Sequence, residues 1–181
     1  MKCLYTFFLC LLFPFLLSAQ KVVSVTIDGS INPASASFLQ NAINKAANEK
    51  AECLLVHLNT PGGLLKSTRV MVSEILQSRV PVIVYVSPGG AHAGSAGVFI
   101  TMAAHVAAMA PSTNIGAAHP VSSGGSMDSV TSGKATNDAV AFIRAIAEKR
   151  QRNPEWAEEA VRKSVSIAES EAVQKRVVDL V

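Results

Sequence analysis

Short apolar runs and longer amphipathic stretches alternate along most of the chain. Runs rich in β-branched and other apolar residues predict strands at residues 22–27, 53–59, 80–86, 105–110, 165–167 and 177–181. Helical spacing of apolar or small residues predicts helices at residues 34–48, 64–78, 95–103, 135–149, 154–163 and 169–175. Because strand, loop and helix repeat in this order with short connections, the pattern predicts an α/β fold with a mainly parallel sheet.

Residues 111–133 interrupt this pattern. The segment is rich in Ser, Gly, Thr and Asn, and its string SSGGSMDSVTSGK has no apolar period. A loop of this length in a compact domain is usually functional or disordered. We therefore expect a mobile loop at residues 111–133.

The first twenty residues have the pattern of a secretory signal peptide. Lys2 precedes an apolar run from Leu4 to Leu17, and the small residues Ser18 and Ala19 follow it. The run is short for a membrane span, which needs about 20 apolar residues, so an uncleaved anchor is the alternative. The sequence predicts a signal at residues 1–20 and an exported domain at residues 21–181. That domain would act outside the cytoplasm, in a periplasm or at the outer face of a membrane.

Charge and cysteine content exclude two classes of function. The net charge of +3 is small and not clustered, so the chain offers no basic patch to a nucleic acid. Cys3 and Cys10 belong to the predicted signal, which leaves Cys53 alone in the domain. A single cysteine forms neither a disulfide framework nor a metal cluster, and we expect no metal or other cofactor.

Two glycine pairs each follow a predicted strand, in TPGG (residues 60–63) and SPGG (residues 87–90). Ligands of parallel α/β sheets bind beyond the carboxyl ends of the strands, so both loops should lie at one edge. Glycine permits positive φ and a close approach of substrate, and free N–H groups at such a turn can bind an oxyanion. The alternative is a pair of tight turns without further function.

Ser95 is the one hydroxyl in the small-residue string AHAGSAGVF, at the predicted start of a helix. AGSAG differs from the G-x-S-x-G nucleophile elbow only by Ala93 at the first glycine position. A serine here can act as a nucleophile, with the helix N-terminus stabilising negative charge. It can equally cap the helix or pack as a small residue.

A nucleophilic serine needs a base, and the residues alone leave its identity open. His119 stands in IGAAHP at the entrance to the long loop, whereas His57, His92 and His105 lie in or near predicted strands. Lys134 lies between that loop and the next predicted helix. A lysine is neutral at neutral pH only where burial or a nearby cation lowers its pKa. A solvated lysine at a helix start is the alternative interpretation of Lys134.

Several strings together resemble one known family. They are IDGSI, LNTPGG, VYVSPGGAHAGSAGVFI, NIGAAHPV and GKATND, in this order over nearly all of residues 21–181. The chain resembles the NfeD-type membrane-associated serine proteases, also called stomatin operon partner proteins. These have a Clp protease/crotonase-like fold of repeated strand-strand-helix units.

The resemblance implies a serine endopeptidase with a Ser–Lys dyad. By position, Ser95 would be its nucleophile and Lys134 its general base. The amides of Gly62 or Gly63 and of Ala96 would form the oxyanion hole. In the related Clp proteolytic subunit, which has a Ser-His-Asp triad, a histidine follows the serine at a distance similar to that of His119. A Ser–His protease that uses His119 is therefore the second hypothesis.

The resemblance also implies partners. Substrates would be apolar segments, notably near the C-terminus of stomatin-like membrane proteins, and the protein would be a homodimer or higher oligomer. Two other classes of function remain as alternatives. One is a crotonase-like enzyme that acts on acyl thioesters through the same oxyanion loops. The other is a non-catalytic module that binds a peptide or a membrane protein.

Overall fold

The computed structural model describes residues 20–121 and 128–181. The strands are β1 (Val22–Asp28), β2 (Cys53–Asn59), β3 (Val82–Val86), β4 (His92–Gly94), β5 (Val106–Met109), β6 (Asn114–Gly116) and β7 (Ser166–Ala168). The helices are α1 (Pro33–Asn48), α2 (Leu65–Gln77), α3 (Ala96–Ala103), α4 (Ser129–Lys149), α5 (Pro154–Arg162) and α6 (Glu169–Gln174). Apart from Gln20, the predicted signal peptide lies outside the described residues. Within the described ranges, no helix combines the length and apolarity needed to cross a membrane.

Two sheets organise the molecule. The larger is parallel throughout, in the order β1–β2–β3–β5. In the smaller sheet β4 and β6 run parallel, and β6 pairs antiparallel with β7. Every second residue of β2 and β3 is buried, because successive side chains of a strand point to opposite faces. The predicted α/β fold with a mainly parallel sheet is confirmed.

Helix α1 begins close to its predicted start because its first turn is capped. The Asn32 side chain accepts hydrogen bonds from the N–H groups of Ala34 (2.9 Å) and Ser35 (3.0 Å). The Ser35 hydroxyl oxygen accepts one from the Asn32 N–H (3.0 Å), which completes a capping box. Pro33 fits the first helical position because its fixed φ is helical and its missing N–H is not needed there.

Helix α4 begins earlier than predicted, at Ser129 instead of residue 135, so Lys134 lies in its second turn. The cause is Asp128, whose carboxylate accepts hydrogen bonds from the N–H groups of Val130 (2.9 Å) and Thr131 (3.0 Å). The Thr131 hydroxyl donates a third (2.6 Å) and contributes most to lowering the pKa of Asp128. The apolar period did not reveal this start because the first turn is mainly polar.

The predicted loop at residues 111–133 is therefore shorter than expected at both ends. It contains β6, and α4 takes its last residues, while residues 122–127 lie outside the described residues. Neither β4 nor β6 was predicted. Each has three residues with a single apolar residue and a glycine, HAG and NIG, which do not form an alternating apolar pattern.

The strand predicted at residues 177–181 is wrong. The segment forms bends and a single bridge between Leu180 and Ala108. The Asp179 carboxylate accepts the Ala107 N–H (2.7 Å), and this side-chain bond interrupts the backbone pairing with β5 after one bridge. The apolar run at residues 177–181 reflects burial of Val177 and Val178 in the core.

Two arginines hold the C-terminal end of α3. Arg152 is 5% exposed and donates from Nη1 to the carbonyls of Met102 and Ala104 (both 3.0 Å). Arg150 donates from Nε to the Ala103 carbonyl (2.7 Å). The last carbonyls of a helix have no partner inside it and carry partial negative charge. The two guanidinium groups therefore anchor α3 at this end.

Replacing Arg152 with methionine should lower the free energy of unfolding by about 3 kcal/mol, because two buried carbonyls would lose their donor. Asp179 would also lose its ion-pair partner. Guanidinium denaturation followed by circular dichroism measures the change. The exposed Arg79 provides the control, since Arg79→Met should change stability by no more than about 0.5 kcal/mol. Equal stability of the two variants would contradict the anchoring role.

Candidate active site

Ser95 occupies a strained turn between β4 and α3. Its φ of 50° and ψ of −108° form a combination that residues with a Cβ atom rarely adopt. Its N–H donates to the Gly116 carbonyl (3.0 Å), and its carbonyl accepts the Val98 N–H (3.0 Å). The Ser95 side chain does not cap α3, so the N-cap interpretation has no support. The strand–turn–helix bend has the geometry of a nucleophile elbow.

A pocket of about 80 Å³ opens beside Ser95. Its lining comes from three helices and three connecting segments, and consists of Gly63, Leu65, Thr68, Ser95, Ala96, Phe99, Ala118, Pro120, Val121 and Ala139. Among these described lining residues, none has a charged side chain. The Thr68 hydroxyl is already used, because it donates to the Leu64 carbonyl (3.0 Å). The walls of the pocket therefore suit an apolar side chain.

The three amides predicted for an oxyanion hole differ in their hydrogen bonds. The Gly62 N–H donates to the Thr60 hydroxyl (3.1 Å). The Gly63 N–H has no acceptor within the described residues, and Ala96 begins α3, where first-turn amides have no partner inside the helix. The amides of Gly63 and Ala96 are thus available to an oxygen anion, whereas that of Gly62 is occupied.

The contribution of Gly62 is its small size, since its N–H is already occupied. A methyl group on its Cα would come within 2.6 Å of Ser95 Cβ, which no side chain tolerates. Its φ of 118° is also one that glycine adopts readily and other residues do not. The PGG turn can therefore lie directly against Ser95.

Lys134 is exposed on α4. In the described part of the chain no carboxylate pairs with it. Asp138, one turn later, pairs instead with Arg69 of α2 (2.6 Å). The following residue, Ala139, lines the pocket. Lys134 thus lies on the helix that forms one wall of the pocket, although it is not itself a lining residue.

His119 is half-buried, and its Nδ1 lies 2.9 Å from the Val161 carbonyl of α5. A proton on Nδ1 makes this hydrogen bond and leaves the lone pair on Nε2. Its neighbours Ala118 and Pro120 line the pocket, but His119 does not. The structure therefore brings Gly62, Gly63, Ser95 and Ala96 together, with Lys134 and His119 on flanking segments.

The second glycine loop, SPGG, lines a different cavity. It leaves the sheet at the same edge as TPGG, because β2 and β3 are adjacent and parallel. Ser87 and Gly89 line a cavity together with His57 and Tyr85, and His57 Nδ1 lies 2.9 Å from Ser87 Oγ. Over the described residues, no cluster of His, Cys, Asp and Glu could hold a metal ion.

Neither the pocket walls nor the role of Thr60 was predicted from the sequence. Phe99 and Ala139 lie on different helices, and helical periodicity shows only that such residues face the interior. Thr60 carried a recognisable signal. A threonine two residues before a glycine can accept that residue's N–H in a local turn.

Comparison with known proteins places this geometry in a family. Residues 21–181 match the family described as NfeD1b, N-terminal domain. The membrane-bound protease PH1510 of Pyrococcus horikoshii is 37% identical over 167 residues, which cover 90% of this chain and 38% of the relative. Membrane protein NfeD1b of Bacillus subtilis is 33% identical over 138 residues, which cover 76% of this chain and 30% of that protein. The chain thus spans about a third of the length of these relatives.

Solved structures agree with the sequence comparison. A serine-to-alanine mutant of the 1510-N membrane-bound stomatin-specific protease matches with a TM-score of 0.84 at 35% identity, over 91% of this chain and 80% of that chain. A lysine-to-alanine mutant of that protease, in complex with a substrate peptide, matches with a TM-score of 0.83 at 35% identity, over 91% and 76%. ClpP1 from Listeria monocytogenes has a TM-score of 0.68 at 19% identity, over 87% and 89%, which confirms the Clp protease-like fold. The chain therefore belongs to the family of NfeD1b N-terminal domains.

Proposed function

We propose that the protein is a serine endopeptidase whose nucleophile is Ser95. The observation that carries the proposal is the position of Ser95 on a strained elbow, beside an apolar pocket and two available amides. A peptide carbonyl placed at Ser95 Oγ would direct its oxygen to the N–H groups of Gly63 and Ala96. The relative PH1510 is named a protease, which agrees with this chemistry.

Lys134 is the proposed general base. Neutral Lys134 takes the proton from Ser95 Oγ as that oxygen forms a bond with the peptide carbonyl carbon. When the carbon–nitrogen bond breaks, Lys134 gives the proton to the leaving amine. A water molecule then attacks the ester, with its proton passing to Lys134 and back to Ser95 Oγ as the acyl group leaves.

Two observations support a lysine in this role. Lys134 lies on α4, the helix that contributes Ala139 to the pocket wall. The proposal requires that a bound peptide cover the Lys134 side chain and remove water from it. Loss of water favours the neutral form of an amine. The substrate-peptide complex of the related protease was obtained with a lysine-to-alanine mutant.

His119 is the second candidate base. Its hydrogen bond to the Val161 carbonyl holds the tautomer in which Nε2 can accept a proton. A Ser–His enzyme on this chain would use that atom. Lys134 is preferred because GKATND, the string that contains it, matches the family pattern.

The proposed substrates are apolar segments of membrane-associated proteins. The uncharged lining of the pocket suits such segments, and the related 1510-N protease is named as specific for a stomatin homologue. By analogy, the partner would be a stomatin-like membrane protein. We further propose export to the outer face of a membrane and assembly as a homodimer or higher oligomer.

A direct test is incubation of the protein with a fluorogenic peptide that has a central run of leucine, isoleucine and valine. Mass spectrometry should detect two products, and a fluorophosphonate probe should label Ser95 covalently. An acyl-thioester enzyme would cleave acyl thioesters without labelling, and a binding module would retain the peptide uncleaved. Either of these results would count against the endopeptidase.

A further inference from the structure

Thr60 lies beneath the proposed active site and is fully buried. It is the first residue of TPGG and follows β2 directly. Its N–H donates to the His92 carbonyl and its carbonyl accepts the Gly94 N–H (both 2.9 Å). These bonds join the TPGG turn to β4, the strand that leads into Ser95.

The hydroxyl of Thr60 fixes the turn that contains the two glycines. It accepts the Gly62 N–H (3.1 Å) and donates to the Gly62 carbonyl (3.3 Å). The Gly62 carbonyl also accepts the Ile31 N–H (2.7 Å), whereas the Gly62 N–H is held by the Thr60 hydroxyl alone among the described residues. Since the carbonyl of Gly62 and the N–H of Gly63 belong to the same planar peptide, the direction of the Gly63 N–H is fixed too.

The methyl group of Thr60 packs against the first turn of α3. A methyl on Gly97 would come within 2.8 Å of Thr60 Cγ2, so the helix backbone and the threonine are in close contact. Gly97 directly follows Ala96, whose N–H is the other available amide. The distance between the TPGG turn and the start of α3 therefore depends on the Thr60 methyl group.

We infer that Thr60 is a positioning residue of the oxyanion hole, whose hydroxyl sets the Gly63 amide and whose methyl sets the Ala96 amide. The inference rests on the proposed function, because it assigns a catalytic purpose to these two amides. Thr60 itself touches no substrate. Its effect reaches the reaction through two N–H groups that stabilise negative charge on the substrate oxygen.

Two substitutions test the hydroxyl and the methyl group of Thr60 separately. Thr60→Val keeps the shape and removes the hydroxyl, so that the Gly62 N–H loses its acceptor and the peptide between Gly62 and Gly63 is held only by the Ile31 N–H. A displacement of about 1 Å in an active site can cost about 100-fold in rate, and we expect kcat to fall by that order with little change in KM. Thr60→Ser keeps the hydroxyl and should retain far more of the activity than Thr60→Val.

A transition-state analogue distinguishes this role from a purely structural one. A peptide aldehyde that adds to Ser95 places its oxyanion between the two amides, so Thr60→Val should weaken aldehyde inhibition as much as it lowers kcat. Binding of an uncleaved peptide, measured on a Ser95→Ala background, should be the same with threonine or valine at residue 60. Thermal unfolding of each variant controls for stability.

The outcomes distinguish the inference from the proposed function. An active wild-type enzyme with wild-type kcat in Thr60→Val would overturn the inference alone. Equal weakening of aldehyde and peptide binding would also overturn it. If Thr60→Val does not fold, Thr60→Ser must exceed Thr60→Ala in kcat, and equality of the two overturns the inference. A wild-type protein that neither cleaves peptide nor reacts with a fluorophosphonate overturns the proposed function itself.

Discussion

Replacing Ser95 with alanine should abolish peptide cleavage while leaving peptide affinity unchanged. Without Oγ no acyl-enzyme can form, and loss of a nucleophilic serine lowers kcat by a factor of about 10⁶ in a serine protease. The backbone strain at Ser95 stays, since alanine also carries a Cβ atom, and the pocket keeps its shape. The cleavage rate of the fluorogenic peptide tests the loss of activity, and the dissociation constant of the same peptide tests the unchanged affinity.

Ser164→Ala is the matched control. Ser164 is an exposed serine with a positive φ of 56°, so the same substitution is made at a second serine whose φ is also positive. Full activity in Ser164→Ala and none in Ser95→Ala would assign the chemistry to Ser95. Residual cleavage in Ser95→Ala near the wild-type rate would remove Ser95 from the mechanism.

Replacing Lys134 with alanine should lower kcat by about 10²- to 10⁴-fold, the contribution typical of a general base. Lys134→Arg should not restore activity, because a guanidinium group stays protonated and cannot accept the Ser95 proton. Fluorophosphonate labelling should slow in parallel, since it needs the same proton transfer. Small primary amines added to Lys134→Ala should recover part of the rate.

Lys149→Ala, at the other end of α4, is the control for loss of a lysine from this helix. His119→Ala tests the second candidate base in the same assay. If His119→Ala were inactive and Lys134→Ala active, the proton would be accepted by His119. If both variants were fully active, neither residue would be the base.

The sequence could predict the order of the main elements because each has a long apolar period. The large sheet, α1 and α2 follow from such periods and from caps such as Asn32. The start of α4 could not be predicted, because a polar first turn held by Asp128 leaves no apolar signal. The strands β4 and β6 likewise give no signal, because each has one apolar residue beside a glycine, although β4 leads directly to Ser95.

From the sequence, the candidate site could be predicted only as separate motifs, without their arrangement in space. The TPGG and AHAGSAG motifs indicate a turn and a nucleophile elbow, but which glycine amide is occupied depends on the Thr60 hydroxyl in three dimensions. The pocket walls come from residues far apart in sequence, such as Leu65 and Ala139. Sequence spacing does not show that these residues meet, because the packing of α2, α3 and α4 brings them together.

The positive φ of Ser95 has a consequence for protein engineering. Glycine adopts such a backbone conformation at little cost, whereas a residue with a side chain is held there at about 1–3 kcal/mol. A library selected only for thermal resistance would therefore enrich glycine at residue 95 and discard the hydroxyl. Stability therefore conflicts with the proposed catalytic role of Ser95, so substitutions intended to raise stability should be made elsewhere in the chain and leave Ser95 unchanged.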